Sequence, residues 1–268
     1  MRFANAVAHP IRPRIAGLAL VWHLIELGVV WSSARLWTEV TTFVGFLSMT
    51  GVASACSLVV ALCVIGFGSA WRWRDLGLTP RQLLAALTTG VICWATNQAV
   101  QLIDAAFAAA STPRQIDLSG AFLNAYNEEV LFRFLLLGAA AFVLVQRLPP
   151  RRAIWCAIAI SSVIFVASHI PHDLVVGDIH RPLRYPSLLG YAGLLSLVYL
   201  TTGNLMTATV LHMLGNEPAL VVSGPHVLTI TTIVNWTACI LVIVAHGWVR
   251  GREARSRRAV RERGRRGA

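Results

Sequence analysis

The chain contains no lysine: all 23 of its basic residues are Arg. It is short of charge altogether, with 13% of 268 residues charged, where a soluble domain carries about 25%. That shortage argues against a water-soluble globule and against a disordered chain. Cysteine is also sparse. Cys56, Cys63, Cys93, Cys156 and Cys239 all sit in apolar stretches, and none forms a CxxC pair. No disulfide framework or thiol-rich metal site is expected, and these residues read as small buried hydrophobes. Short segments of alternating hydrophobicity, the mark of a membrane β-barrel, are missing as well.

What the chain has instead is apolar residues in long blocks. They make up 56% of it, with a mean hydropathy of +0.64. The fold class expected is all-α: a polytopic membrane helical bundle of about eight transmembrane helices. The candidate spans are residues 15–34, 42–68, 83–107, 121–146, 153–169, 187–201, 205–222 and 228–249. Turn signals separate several of them, at Leu78-Thr79-Pro80, Ser111-Thr112-Pro113, Leu148-Pro149-Pro150 and Ser223-Gly224-Pro225. Neither an internal repeat nor a soluble second domain is evident. No cleavable signal peptide is expected, because the first apolar run follows Arg12-Pro13-Arg14 and lacks a small-residue exit site.

The net charge of +11 is largely a tail, since nine Arg lie from Arg250 onward. In a membrane protein this reads as a cytoplasmic anchor at anionic lipid, not as a nucleic-acid surface. With both termini in the cytoplasm, eighteen Arg fall inside and four outside: Arg35, Arg114, Arg181 and Arg184. Arg133 alone is left within a span. That asymmetry sets the expected orientation in a cell membrane, and the Arg bias itself suggests a GC-rich bacterial genome. The organisation expected is a two-span membrane region over 1–74, a second membrane domain over 75–249 and a basic tail over 250–268.

Charges at membrane depth are costly and are functional candidates by default. The densest set is Asn127-Glu128-Glu129-Val130-Leu131-Phe132-Arg133 in the fourth span. Glu129 and Arg133 lie one helical turn apart and can pair. Glu128 points about 100° away and is the carboxylate left for other work. Two acids with one base leave a charge that a purely structural motif has no reason to bury. The fifth span ends Phe165-Val166-Ala167-Ser168-His169, with Phe165 and His169 on one face. The seventh carries His212 and Asn216, again one turn apart. Each His alone reads as an ordinary helix contact. His172 and His180 read as solvated, and His23, Glu26, Asn97, Gln98, Asp104, Asn235 and His246 as packing or interfacial residues.

Together the three segments offer a carboxylate, two imidazoles, an amide and an ion pair. A carboxylate near a neutral His can take a proton from water. A second His with an Asn can donate to a developing oxyanion. This is equipment for amide hydrolysis without a covalent nucleophile. The sequence has no G-x-S-x-G elbow and no H-E-x-x-H.

At these residues the chain resembles the CPBP family of intramembrane proteases, also called the Abi family. That group includes CAAX prenyl endopeptidases and bacteriocin-processing or self-immunity proteins. The pattern E-E-x-x-x-R matches Glu128, Glu129 and Arg133; F-x-x-x-H matches Phe165 and His169; H-x-x-x-N/D matches His212 and Asn216. The resemblance covers about residues 75–222 and includes Asp75-Leu76-Gly77-Leu78. It implies that Glu128 is the water-activating base, assisted by His169. His212 and Asn216 would stabilise the oxyanion, and Glu129 and Arg133 would support the site. No cofactor is expected, although Glu128, His169 and His212 could supply three ligands to Zn²⁺. The partners implied are membrane lipid and a peptide or membrane-anchored protein substrate, with no nucleic acid. Two other readings stand beside the protease: a non-catalytic scaffold or self-immunity protein with the same fold, and a transporter whose Glu and His carry protons.

Overall fold

Apolar segments that must hide their amides from lipid can do so only as helices or closed barrels. The computed structural model takes the first route. It describes residues 76–108, 112–113, 118–176, 183–216, 222–223 and 226–266, together with Val21 and Val59. Apart from those two residues, the first two expected spans lie outside the described residues.

Helix α1 runs over Pro80–Ala108. A capping box opens it: Thr79 Oγ1 accepts from the Gln82 N–H at 3.4 Å, and Gln82 Oε1 accepts from the Thr79 N–H at 3.4 Å. Pro80 stands at the first helical position, where its missing N–H costs nothing. The fourth expected span is one helical run in three parts. They are α2 over Leu118–Glu129, a π-helical segment over Val130–Leu136 and α3 over Leu137–Leu144. Helix α4 spans Pro150–Val176, α5 Arg184–Thr202, α6 Leu205–Asn216 and α7 Val227–Arg266. The strands β1 (Thr112–Pro113) and β2 (Val222–Ser223) form a two-residue antiparallel ladder, with Thr112 opposite Ser223.

Three described helices are long and apolar enough to cross a membrane: Pro80–Ala108, Pro150–Ile170 and Val227–Arg252. They correspond to the third, fifth and eighth expected spans. Of the seventh expected span, 205–222, residues 217–221 lie outside the described residues. Its described part, helix α6 over Leu205–Asn216, has 12 residues, about 18 Å of rise. Helix α7 does not end with its apolar part but continues through the Arg-rich segment to Arg266.

The short α6 is the centre of the bundle, touching α1, α2, the π segment, α5 and α7. Its start is tightly specified. Gly203 caps α5 in a left-handed conformation (φ 66°), its N–H donating to the Tyr199 carbonyl. Asn204 then caps α6, its Oδ1 accepting from the Met206 N–H at 3.1 Å. The Asn204 side-chain amide also donates to the Gln82 carbonyl at 2.9 Å, tying this turn to the head of α1. Gly77 (φ 78°) passes so close that a Cβ there would lie 2.6 Å from the Met206 nitrogen and 2.8 Å from Asn204 Oδ1. Farther along, Gly90 lets α1 approach Val210 of α6, the small-residue contact typical of membrane helices. The outward faces remain apolar, as with Leu84, Leu87 and Ile92 of α1 and Ile233, Leu241 and Val244 of α7.

Several polar residues read as packing are spent on helix contacts. Asn97 donates to Thr231 Oγ1 at 3.3 Å. Asn235 donates to the Leu214 carbonyl at 3.1 Å and accepts from the Cys93 thiol at 3.1 Å. Asp104 pairs with His226 at 2.9 Å.

Candidate active site

Glu128 and Glu129 are the last two residues of α2, and the chain passes directly from them into the π segment that carries Arg133. A π turn widens the helix by one residue and is common at functional sites. Here it leaves the Phe132 carbonyl serving two donors. It accepts from the Leu137 N–H, five residues on, and from the Ser161 hydroxyl of α4 at 2.7 Å.

The Glu129–Arg133 pair forms, with Arg133 Nη1 3.2 Å from Glu129 Oε1 and both side chains buried. The guanidinium also lies 4.5 Å from the Phe165 ring centroid, a cation–π contact. Among the described residues, none of the three Arg133 guanidinium nitrogens has a hydrogen-bond partner. The group is therefore held by charge and by the ring face.

Tertiary packing adds a relation that no helix periodicity contained. His212 of α6 reaches both carboxylates. Its Nδ1 lies 2.8 Å from Glu129 Oε1, and its Nε2 lies 3.5 Å from Glu128 Oε2. Glu128 Oε1 accepts from the Asn124 side-chain amide at 3.0 Å, one turn back along α2. His212 thus joins Glu128, Glu129 and Arg133 in one buried polar cluster. The second basic side chain beside the two acids comes from another helix.

Aromatic contacts fix the rings. Phe165 meets His212 edge-on at 5.7 Å and Phe132 edge-on at 5.1 Å. Tyr191 of α5 lies 6.3 Å from His212, and its hydroxyl donates to the Leu211 carbonyl at 2.6 Å. Gly215 makes room for Tyr191: a Cβ there would sit 2.6 Å from the phenol oxygen.

The His169 ring lies against Phe165 with centroids 4.5 Å apart and planes tilted by 50°, and its Nδ1 lies 2.9 Å from the Phe165 carbonyl oxygen. A carbonyl only accepts, so that nitrogen carries a proton, and in the neutral ring Nε2 is then the one with the lone pair. His169 is near enough to Glu128, His212 and Asp173 to interact electrostatically with each. Asp173 is buried and held by Arg184 through two contacts, Nε–Oδ2 at 2.5 Å and Nη2–Oδ1 at 2.6 Å. This clamp joins the end of α4 to the start of α5.

Asn216 stands apart. It is exposed at the last residue of α6 and is not hydrogen-bonded into the His212 cluster. The structure therefore gathers Glu128, Glu129, Arg133, Phe165, His169 and His212, and leaves Asn216 at the rim. Sequence reading missed Asn124, Ser161, Tyr191 and the Asp173–Arg184 clamp. The spacing of Asn124 to Glu128 is visible in the sequence. The other three act across helices and carry no local signal.

For Zn²⁺, His212 and Glu128 are close enough to share an ion. Among the described residues, however, no three His, Cys, Asp or Glu side chains converge on one point. Two ligands do not make the three-ligand site that catalytic zinc requires, so no step is routed through a metal.

Residues 116–217 match a family model described as Rce1-like, type II CAAX prenyl endopeptidase. The matched stretch contains Glu128, Glu129, Arg133, Phe165, His169, His212 and Asn216, and the match supports the CPBP/CAAX protease family. No curated protein and no solved structure matches the chain.

Proposed function

We propose that this chain, whose residues 116–217 fall in the CPBP/CAAX protease family, is a multi-pass membrane endopeptidase. It would hydrolyse a peptide bond at or within the membrane. The observation that carries this reading is His212 bridging the paired carboxylates, 2.8 Å from Glu129 and 3.5 Å from Glu128.

Glu128 is the base. Its Oε1 is engaged by Asn124, and Oε2 takes a proton from a water that attacks the scissile carbonyl carbon. His169, with its proton on Nδ1, holds the same water through the Nε2 lone pair, and the proton that Glu128 took passes to the leaving amine as the C–N bond breaks. His212 donates from Nε2 to the carbonyl oxygen as it gains charge, with Glu129 as counter-ion at Nδ1. Asn216, one turn along α6, adds its side-chain amide once a substrate covers the rim. Arg133 positions Glu129 and does not touch the reacting atoms. The low dielectric of the bundle strengthens each of these interactions.

The substrate is a peptide or a membrane-anchored protein, and lipid is the surrounding partner. Purified protein incubated with a peptide mixture should yield paired products, each pair sharing a new amino and a new carboxyl end by mass spectrometry. Glu128→Gln, purified with an unchanged melting profile, should yield none. Absence of cleavage by the parent chain across peptides and reconstituted membrane-anchored substrates would overturn the reading.

A further inference from the structure

We infer that the candidate site is reached from the Arg-poor end of the bundle, which faces away from the cytoplasm. Its substrates then present their scissile bond in, or just beyond, the extracytoplasmic half of the membrane. This inference rests on the endopeptidase reading for its chemistry, but its geometry is independent of it.

The described helices define two ends. At one end the head of α1 meets the α5–α6 turn, where Gln82 Nε2 donates to the Gly203 carbonyl at 3.1 Å and Asn204 donates to the Gln82 carbonyl. Arg81, Asn204 and His246 of α7 line one cavity there. The α3–α4 turn belongs to the same end, because Ala140 and Leu144 pack in one cluster with Leu197 and Leu200 near the close of α5. This end carries Arg81, Arg147, Arg151, Arg152 and the Arg run of α7 from Arg250. At the other end, Asp104 meets His226, the β1–β2 ladder forms, and Asp173 holds Arg184. Arg184 is the one Arg among the described residues there, and its charge is already neutralised. An asymmetry of this size directs the Arg-rich end to the cytoplasm.

Burial then shows which way the site opens. Toward the Arg-rich end it is floored by Phe132, Leu135, Phe165, Leu195, Leu205 and Leu211, each 1% exposed or less. Toward the Arg-poor end, Asn124 and His169 are part-exposed and Asn216 is exposed. On that side Asn216 is the last described residue of helix α6. Water and an extended peptide must both reach Glu128, and a fully packed apolar floor admits neither. The route lies past Asn216 and His169.

The test uses single cysteines in the full chain, read against the parent background from its five native cysteines. Asn216→Cys reports the rim, Leu183→Cys the Arg-poor end and Arg147→Cys the Arg-rich end. A membrane-impermeant maleimide is applied to right-side-out and to inverted vesicles. Asn216→Cys and Leu183→Cys should label in right-side-out vesicles and lose that labelling in inverted ones, with Arg147→Cys the reverse. Labelling of Asn216→Cys from the cytoplasmic face, or from neither face, overturns the inference. If a substitution prevents folding, an epitope inserted after Leu183 and read by antibody on right-side-out vesicles replaces it. Cleavage assayed in detergent has no sides, so failure of the access route and failure of the endopeptidase reading give different results.

Discussion

His212 Nδ1 lies 2.8 Å from Glu129 Oε1, so Glu129 serves an imidazole as well as Arg133. A carboxylate on one ring nitrogen fixes what the other nitrogen presents, and here the other nitrogen faces Glu128. Glu129→Gln keeps the shape and removes the charge. We expect a folded protein whose kcat falls by about 10²-fold or more, the scale on which orienting carboxylates of catalytic His act. Glu128→Gln should reduce cleavage to background in the same assay. If Glu129→Gln cuts normally while His212→Ala does not, the carboxylate is not orienting the ring.

Arg133 is a buried cation held by one carboxylate and one ring face. Arg133→Leu leaves Glu129 with only His212 and should destabilise by about 3–5 kcal/mol, seen as low folded yield and an earlier melt in detergent. Arg133→Lys should recover little of this, because an ammonium cannot lie flat on Phe165 as a guanidinium does. Full rescue by Lys would show that charge alone suffices.

Asn216 is exposed at the end of α6 and takes no part in the packed cluster. Asn216→Ala should leave the melting temperature unchanged. If it donates to the oxyanion, kcat should drop by about 10²–10³-fold. A change confined to KM would make it a substrate-binding residue instead.

The two His and Glu128 do not converge as a ligand set among the described residues. Elemental analysis of active protein should find no stoichiometric zinc, and chelation should not reduce cleavage. Loss of metal and activity together, both restored by adding Zn²⁺, would move Glu128 and His212 to ligand roles.

Gly77 holds a positive φ against the turn that starts α6. Gly77→Ala should cost about 1–3 kcal/mol in backbone strain, besides pressing on the Asn204 cap. Thermal unfolding in detergent measures it. An unchanged melt would mean that the turn relaxes freely.

The sequence by itself determined the helical fold, because long apolar blocks in lipid have few other ways to satisfy their backbone. It located Glu128, Glu129 and Arg133 on adjacent turns, and the ion pair follows from their spacing alone. It also marked His169 with Phe165, since one helical face carries both. Tertiary structure decided what His212 does. The sequence set it beside Asn216, one turn along the same helix, whereas packing of α6 against α2 set it between the two carboxylates. Ser161, Tyr191 and the Asp173–Arg184 clamp were likewise illegible, as each acts across a helix pair that local periodicity does not specify. Nor does periodicity say that Asn216, which shares a helical face with His212, stands exposed at the rim of the candidate site, because only the packing around α6 decides which of its residues are covered.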